Sequence, residues 1–127
     1  MEDIDGISMT EDIRPHYRLE AWKEAMALVK SVYEVSRHFP AEERYGISAQ
    51  IQRSAVSVPS NIAEGAARSG AREFAQFLNI ARGSLSELET QLLIAVELDY
   101  LDRAHAVFSS VDRVSRLLTG LHKSVKE

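Results

Sequence analysis

Residues 74–95 read FAQFLNIARGSLSELETQLLIA, and their apolar side chains recur at alternating steps of four and three residues. The positions in this pattern are Phe74, Leu78, Ala81, Leu85, Leu88, Leu92 and Ala95. This spacing places them on one side of an α-helix, in the kind of seam by which bundle helices pack. Gly83 lies within the stretch and costs about 1 kcal/mol relative to alanine. Either another part of the protein packs closely against Gly83, or the helix tolerates this loss of stability.

Three further segments show the same helical periodicity. The first runs over about residues 19–38 and ends before a proline. The second starts near Tyr45 and contains Pro59, which predicts a kink or a short break because proline lacks the amide hydrogen. The last follows Asp102, a residue type that caps helix N-termini well, and we expect Asp102 to be its N-cap.

No segment shows the sustained alternation that a β-strand needs. Four helices with short connections predict an all-α fold, an antiparallel up-down-up-down four-helix bundle over residues 16–127. Residues 1–15 are acidic and weakly apolar, and we expect them to form a mobile arm. The predicted core contains Leu78, Leu85, Leu88, Leu92, Val111, Val114 and Leu118.

The composition limits the function. The 127 residues are 45% hydrophobic and 27% charged, which is typical of one soluble domain. The chain has no cysteine, so it has neither a disulfide nor a thiol nucleophile. It shows no apolar run long enough to span a bilayer, and its acidic start is unlike a secretory signal. We therefore expect a cytoplasmic protein that makes no use of membranes.

The sequence offers little for catalysis. The di-iron bundle pattern needs two Glu-x-x-His motifs, whereas this chain has only one related pair, Asp102 and His105. The other three histidines are far apart in sequence and lack ligand spacing. No nucleophile elbow, P-loop or dinucleotide fingerprint is present. We expect no metal, no cofactor and no enzyme activity.

With no catalytic motif present, the polar residues on the two middle helices are the main candidates for a functional role. Five of them follow helical steps of three or four: Arg53, Ser57, Asn61, Glu64 and Arg68. On the next helix, one flank of the apolar seam carries Glu73, Ser84, Glu87 and Gln91. One interpretation is a solvated face with ion pairs such as Glu64 with Arg68. The other is a polar network between helices or subunits, formed by Arg53, Asn61, Glu64, Glu73 and Glu87.

The net charge of −4 conceals an uneven distribution. Residues 44–82 contain five arginines and two glutamates, whereas residues 83–112 contain six acids and one arginine. An acidic chain argues against a dedicated nucleic-acid binder, but a local basic face fits the middle of this one. The candidate contacts to nucleic acid are Arg53, Arg68, Arg72 and Arg82.

Residues 39–92, FPAEERYGISAQIQRSAVSVPSNIAEGAARSGAREFAQFLNIARGSLSELETQL, resemble the 23S rRNA-intervening-sequence protein family of bacteria. The resemblance extends over about residues 17–126 and rests on EERYG, SAVSVPSNIAEG, IARGSLSELETQL and the pair Tyr100-Leu101, which occur in the expected order. The motif residues, as they stand here, are Arg53, Pro59, Asn61, Glu64, Gly65, Glu73, Gly83, Ser84 and Glu87.

The resemblance implies an antiparallel four-helix bundle that assembles into a homopentameric ring, in a family whose general role is unknown. Some members are encoded within insertions in bacterial 23S rRNA genes. A related branch resembles the basic accessory subunit of diversity-generating retroelements, which partners a reverse transcriptase and nucleic acid. This chain departs from that branch in being acidic overall.

These observations favour a non-enzymatic, ring-forming bundle that binds a protein partner or acts as a scaffold. The alternative is an RNA or ribonucleoprotein accessory factor with weak binding that is independent of base sequence. An enzyme built from scattered bundle residues is the third class. A steep dependence of binding on salt would separate the second class from the first, because it is the signature of phosphate contacts.

Overall fold

The computed structural model describes residues 14–126, and within this range the chain forms helices and no strand. A short 3-10 helix, Pro15–Arg18, precedes α1, Glu20–Arg37. A second 3-10 helix, Ala41–Glu43, leads into α2, Ile47–Ala66, which is followed by α3, Ala71–Glu97, and α4, Val107–Lys126. The all-α prediction is therefore confirmed. Of the predicted acidic arm, residues 1–13 lie outside the described part of the chain.

The four helices surround one hydrophobic core. Each helix contacts the next along the chain, and α1 also contacts α4, so the four close into a bundle. Leu78, Leu85, Leu88, Leu92, Val111, Val114 and Leu118 are all buried, which confirms the predicted core. The up-down-up-down order of all four helices stays a prediction from the short connections. For α2 and α3 the paired residues run in opposite order, because Ser54 contacts Gln91 and Ser57 contacts Ser84.

Pro59 does not interrupt α2. The helix runs unbroken from Ile47 to Ala66, so of the predicted kink or short break the break is wrong, and the kink stays a prediction. Pro59 lacks the amide hydrogen that would bond the carbonyl four residues earlier. Next to it, Ser60 Oγ donates to the carbonyl of Val56 at 2.8 Å, and Asn61 Nδ2 donates to the carbonyl of Ser57 at 2.8 Å. These side chains hydrogen-bond the neighbouring carbonyls where the ladder is weakened, and Pro59 itself is buried against the core.

The start of α4 differs from the prediction. Asp102 Oδ1 accepts a hydrogen bond from the Ala104 amide at 2.8 Å, so it closes a turn in the connector. The helix begins only at Val107, whose amide donates to Nδ1 of His105 at 2.9 Å. Asp102 is therefore not the N-cap, and His105 hydrogen-bonds to the first turn instead.

Glu43 and Tyr100 join the two connectors at one end of the bundle. The Tyr100 hydroxyl donates to Glu43 Oε2 at 2.9 Å, and the Ile47 amide at the start of α2 donates to Glu43 Oε1 at 3.3 Å. The ring of Tyr100 also packs beside Phe39, with centroids 5.6 Å apart. We call this group, Phe39, Glu43 and Tyr100, the end clamp. It gives the EERYG and Tyr100-Leu101 motifs a shared structural role.

The end clamp predicts a pH dependence at high pH. The hydrogen bond to Glu43, together with burial, raises the pKa of Tyr100 above its ordinary value. Because the folded protein holds this proton more tightly, the stabilisation is complete below pH 10 and is lost as the pH rises through the raised pKa. Thermal melting between pH 8 and 12 should show a smaller alkaline loss for Tyr100→Phe than for the wild type. An identical alkaline loss in both proteins would contradict this role, and Tyr45→Phe, at an exposed ring, is the control.

Candidate functional site

Five polar side chains line the contact between α2 and α3, and we call them the polar seam. They are Ser54, Ser57, Asn61, Ser84 and Gln91. Ser54 Oγ donates to Gln91 Oε1 at 2.9 Å, and the hydroxyls of Ser57 and Ser84 are 2.8 Å apart. Since higher numbers on α2 pair with lower numbers on α3, these two helices are antiparallel. The seam holds their register by hydrogen bonds between neutral groups.

A shallow groove of about 270 Å³ opens over the middle of the seam. Its walls are formed by Gln50, Arg53, Ser54, Ser57, Glu87 and Gln91. Gln91 Nε2 lies 3.5 Å from Glu87 Oε2, which places one carboxylate at the rim. Among residues 14–126, its walls carry one cation, Arg53, one carboxylate, Glu87, and the hydroxyls of Ser54 and Ser57.

The predicted polar network is only partly assembled within one chain. Asn61 belongs to the seam, because its Nδ2 donates to Ser57 Oγ at 3.0 Å. Arg53, Glu73 and Glu87 are exposed, and Arg53 and Glu73 make no hydrogen bond or ion pair within residues 14–126. Glu64 is also exposed and pairs with Arg68 at 2.9 Å. A role for the exposed members in contacts between subunits stays a prediction.

The four candidate arginines do not form one cluster in a single chain. Arg68 lies over the ring of Phe77, with its guanidinium 4.9 Å from the ring centroid. Arg53 lies within α2, about 20 Å along the helix axis from the end of that helix at Ala66, whereas Arg68 follows in the connector. Arg82 faces α4, where its Nη1 lies 3.5 Å from Nδ1 of His122. Only Arg68 and Arg72 flank the connector between α2 and α3.

Comparison with known proteins identifies the family. Residues 17–120, most of the chain, match the family described as 23S rRNA-intervening sequence protein. The chain belongs to this family. A solved structure of a protein of unknown function from the S23 ribosomal protein family of Bacteroides thetaiotaomicron superposes with a TM-score of 0.75 at 22% identity. The match covers 81% of this chain and 95% of the other, and at this identity it supports the fold. No curated protein matches the chain.

Membership of the 23S rRNA-intervening sequence protein family agrees with the resemblance found in the sequence. The solved relative is a protein of unknown function. Within residues 14–126, no group of three His, Asp or Glu side chains is placed to hold a metal ion. In the same range, none of the helices has both the length and the apolar character to cross a bilayer.

Ser54 was not among the residues predicted for the site. Ser54 is buried, and its spacing from Ile51 and Val58 would have placed it on the core side of α2. At Gly65, an added Cβ would come within 2.7 Å of the Cβ of Phe77. This glycine lets the end of α2 approach the start of α3 closely. Gly83 differs, because an added Cβ there would meet nothing within 4 Å.

The polar seam predicts different costs for two alanine substitutions. Ser54→Ala leaves the buried Gln91 Oε1 without its donor and should lower the free energy of unfolding by about 1 kcal/mol. Glu64→Ala removes an exposed pair and should cost under about 1 kcal/mol, in the range of surface ion pairs. Urea denaturation of both variants gives the comparison. A larger loss for Glu64→Ala would mean that Glu64 is buried against another subunit.

Proposed function

We propose that this chain is a non-enzymatic scaffold that assembles into a homopentameric ring and binds a protein partner in the cytoplasm. The observation that carries the proposal is a pair of exposed apolar patches on different helices. The first is Tyr33 and Val56, which line one groove of about 570 Å³ between α1 and α2. The second lies at the C-terminal end of α3, where Ile94 and Leu98 are 42% and 48% exposed, and Ile80 is 51% exposed about four turns earlier on the helix.

Two different patches on one chain suit head-to-tail contacts. Such contacts join a patch of one subunit to the other patch of the next and close into a ring when the rotation allows. Large apolar side chains grouped on a surface are a common mark of an interaction site. Gly83 lies in the same region of α3 and is exposed, so a neighbouring backbone has room to approach there.

The test is light scattering over a dilution series. The ring predicts a particle of five times the 14.2 kDa chain mass. Val56→Lys and Ile94→Lys should each lower this mass, because each puts a charge into one side of the contact. Ser115→Lys, at an exposed position on α4, is the matched control and should leave the mass unchanged. A wild-type particle that stays at the mass of one chain at every concentration would overturn the ring.

The alternative proposal is an RNA accessory role with weak binding that does not depend on base sequence. It is supported by the arginines beside the connector between α2 and α3, Arg68 and Arg72, which a ring would repeat five times. Binding of an RNA and of its scrambled version should be equal and should fall steeply with salt. The double charge reversal of Arg68 and Arg72 to Glu should abolish it, while circular dichroism stays unchanged. Tight, sequence-selective binding at physiological salt would contradict this alternative.

A further inference from the structure

A groove between the start of α3 and the end of α4 brings together cationic and amide side chains that the sequence analysis did not connect. It has a volume of about 390 Å³. Arg72, Gln76 and Asn79 line it from α3, and His122 and Lys126 line it from α4. The remaining walls are apolar, formed by Ala71, Ala75 and Val125. Among residues 14–126, none of those that line the groove is acidic, although the chain has a net charge of −4.

The polar groups of this groove are mainly hydrogen-bond donors. Arg82 Nη1 donates to Asn79 Oδ1 at 3.1 Å, which occupies the amide oxygen of Asn79 and leaves its NH2 group. Arg72 and Lys126 have no acidic partner within residues 14–126. Guanidinium and ammonium groups carry donors and no acceptor, so a ligand that satisfies them must supply acceptors.

The cations around His122 disfavour its protonation. Its Nδ1 lies 3.5 Å from Arg82 Nη1, so Nδ1 can accept only when it carries no proton. Burial, Arg82 and Lys126 together lower the pKa of His122 below its ordinary value. The buried Nε2 has no hydrogen-bond partner in the described residues. The surroundings of His122 are therefore electropositive, and no ion pair within residues 14–126 neutralises the cations there.

We propose that this groove binds a phosphate group. A tetrahedral oxyanion presents several acceptor oxygens, which match the guanidinium of Arg72, the ammonium of Lys126 and the amides of Gln76 and Asn79. The volume also accommodates the sugar or base attached to a phosphate ester. The phosphate comes either from a small ester or from a nucleic-acid backbone. Only the second source rests on the RNA alternative above, and neither source requires the ring.

The test is an NMR titration of the full chain at constant ionic strength, first with inorganic phosphate and then with a six-nucleotide uridine RNA. Phosphate should shift the amide signals of residues 72–79 and 122–126 in a saturable way. It should also raise the pKa of His122, because a bound anion stabilises the imidazolium. Chloride at the same ionic strength should do neither. No saturable shift with phosphate or with RNA would overturn the proposal.

Substitutions inside and outside the groove test whether phosphate binds there. Arg72→Glu and Lys126→Gln should each weaken phosphate binding about tenfold or more, since each removes a charge-assisted contact. Arg72→Glu places an acid in the first turn of α3, which helices tolerate well, so the bundle should remain folded. Arg116→Glu is the matched control, at an exposed position of α4 outside the groove. An equal loss in this control would show general electrostatic attraction and would overturn the site.

The two ligands distinguish the source of the phosphate. If RNA binds more tightly than phosphate and Arg72→Glu removes both interactions, the groove contacts a nucleic-acid backbone. If phosphate saturates the groove while RNA leaves these signals unchanged, the ligand is a small phosphate ester. RNA binding that survives in Arg72→Glu and Lys126→Gln would place the RNA elsewhere on the protein and would remove this groove from the RNA alternative.

Discussion

Replacing Leu88 with alanine should lower the free energy of unfolding by about 2 to 5 kcal/mol. Leu88 lies in the middle of α3, and its side chain is fully buried, with 0% exposure. Alanine removes apolar contacts and leaves a cavity that the surrounding helices fill only in part. Urea denaturation followed by circular dichroism measures the loss. The variant should keep its helical signal in the absence of urea.

Leu93→Ala is the control for Leu88→Ala. It makes the same substitution five residues later on the same helix, at a side chain that is 37% exposed. Leu93→Ala should lower the free energy of unfolding clearly less than Leu88→Ala does, because part of the Leu93 side chain already contacts solvent. Equal losses at the two positions would mean that Leu93 is covered in the assembled protein. A negligible loss at Leu88 would contradict the bundle core itself.

Gly65→Ala should destabilise the protein by about 1 to 3 kcal/mol, although alanine is the better helix former. The new Cβ would come within 2.7 Å of Phe77 Cβ and 3.0 Å of Phe74 Cδ1. The Cβ of Phe77 is fixed to its helix, so relief requires α2 and α3 to move apart. Moving them would weaken packing elsewhere along the polar seam.

The same substitution at Gly83 should act in the opposite direction. Nothing lies within 4 Å of the position that a Cβ would take, so Gly83→Ala should stabilise one chain by about 0.5 to 1 kcal/mol. Thermal melting of both glycine variants checks the pair. A loss at Gly83, together with a smaller particle mass, would show that another subunit packs against this glycine. A gain at Gly65 would contradict the close approach of α2 and α3.

The fold followed from the sequence wherever the apolar spacing was regular. The steps of four and three in residues 74–95 placed Leu78, Leu85 and Leu88 in the core, where the structure has them. Local features were less predictable because they depend on neighbours. Pro59 does not break α2, and beside it the side chains of Ser60 and Asn61 hydrogen-bond the carbonyls of Val56 and Ser57. Asp102 resembles an N-cap in sequence, yet its side chain accepts a hydrogen bond from the Ala104 amide within the connector, and α4 begins only at Val107.

The site was harder to predict than the fold because helical spacing identifies a face but not what covers it. The spacing grouped Arg53, Asn61 and Glu64, and only Asn61 joins the polar seam in one chain. The groove at the ends of α3 and α4 was not predicted, because Arg72 and Lys126 are 54 positions apart in the sequence. Only the folded arrangement brings them to one place. Sequence spacing contains no such information on distant pairs.

Because of the end clamp, the two ends of the bundle should differ in how readily they unfold locally. At one end, Tyr100 and Glu43 tie two connectors together, so a fluctuation that frees one connector must break contacts with the other. At the opposite end, residues 67–70 form a short exposed link, and an added Cβ at Gly70 would meet nothing within 4 Å. Amide hydrogen exchange should therefore be faster beside this link than beside the clamp. The same link is where the chain should best accept an inserted peptide.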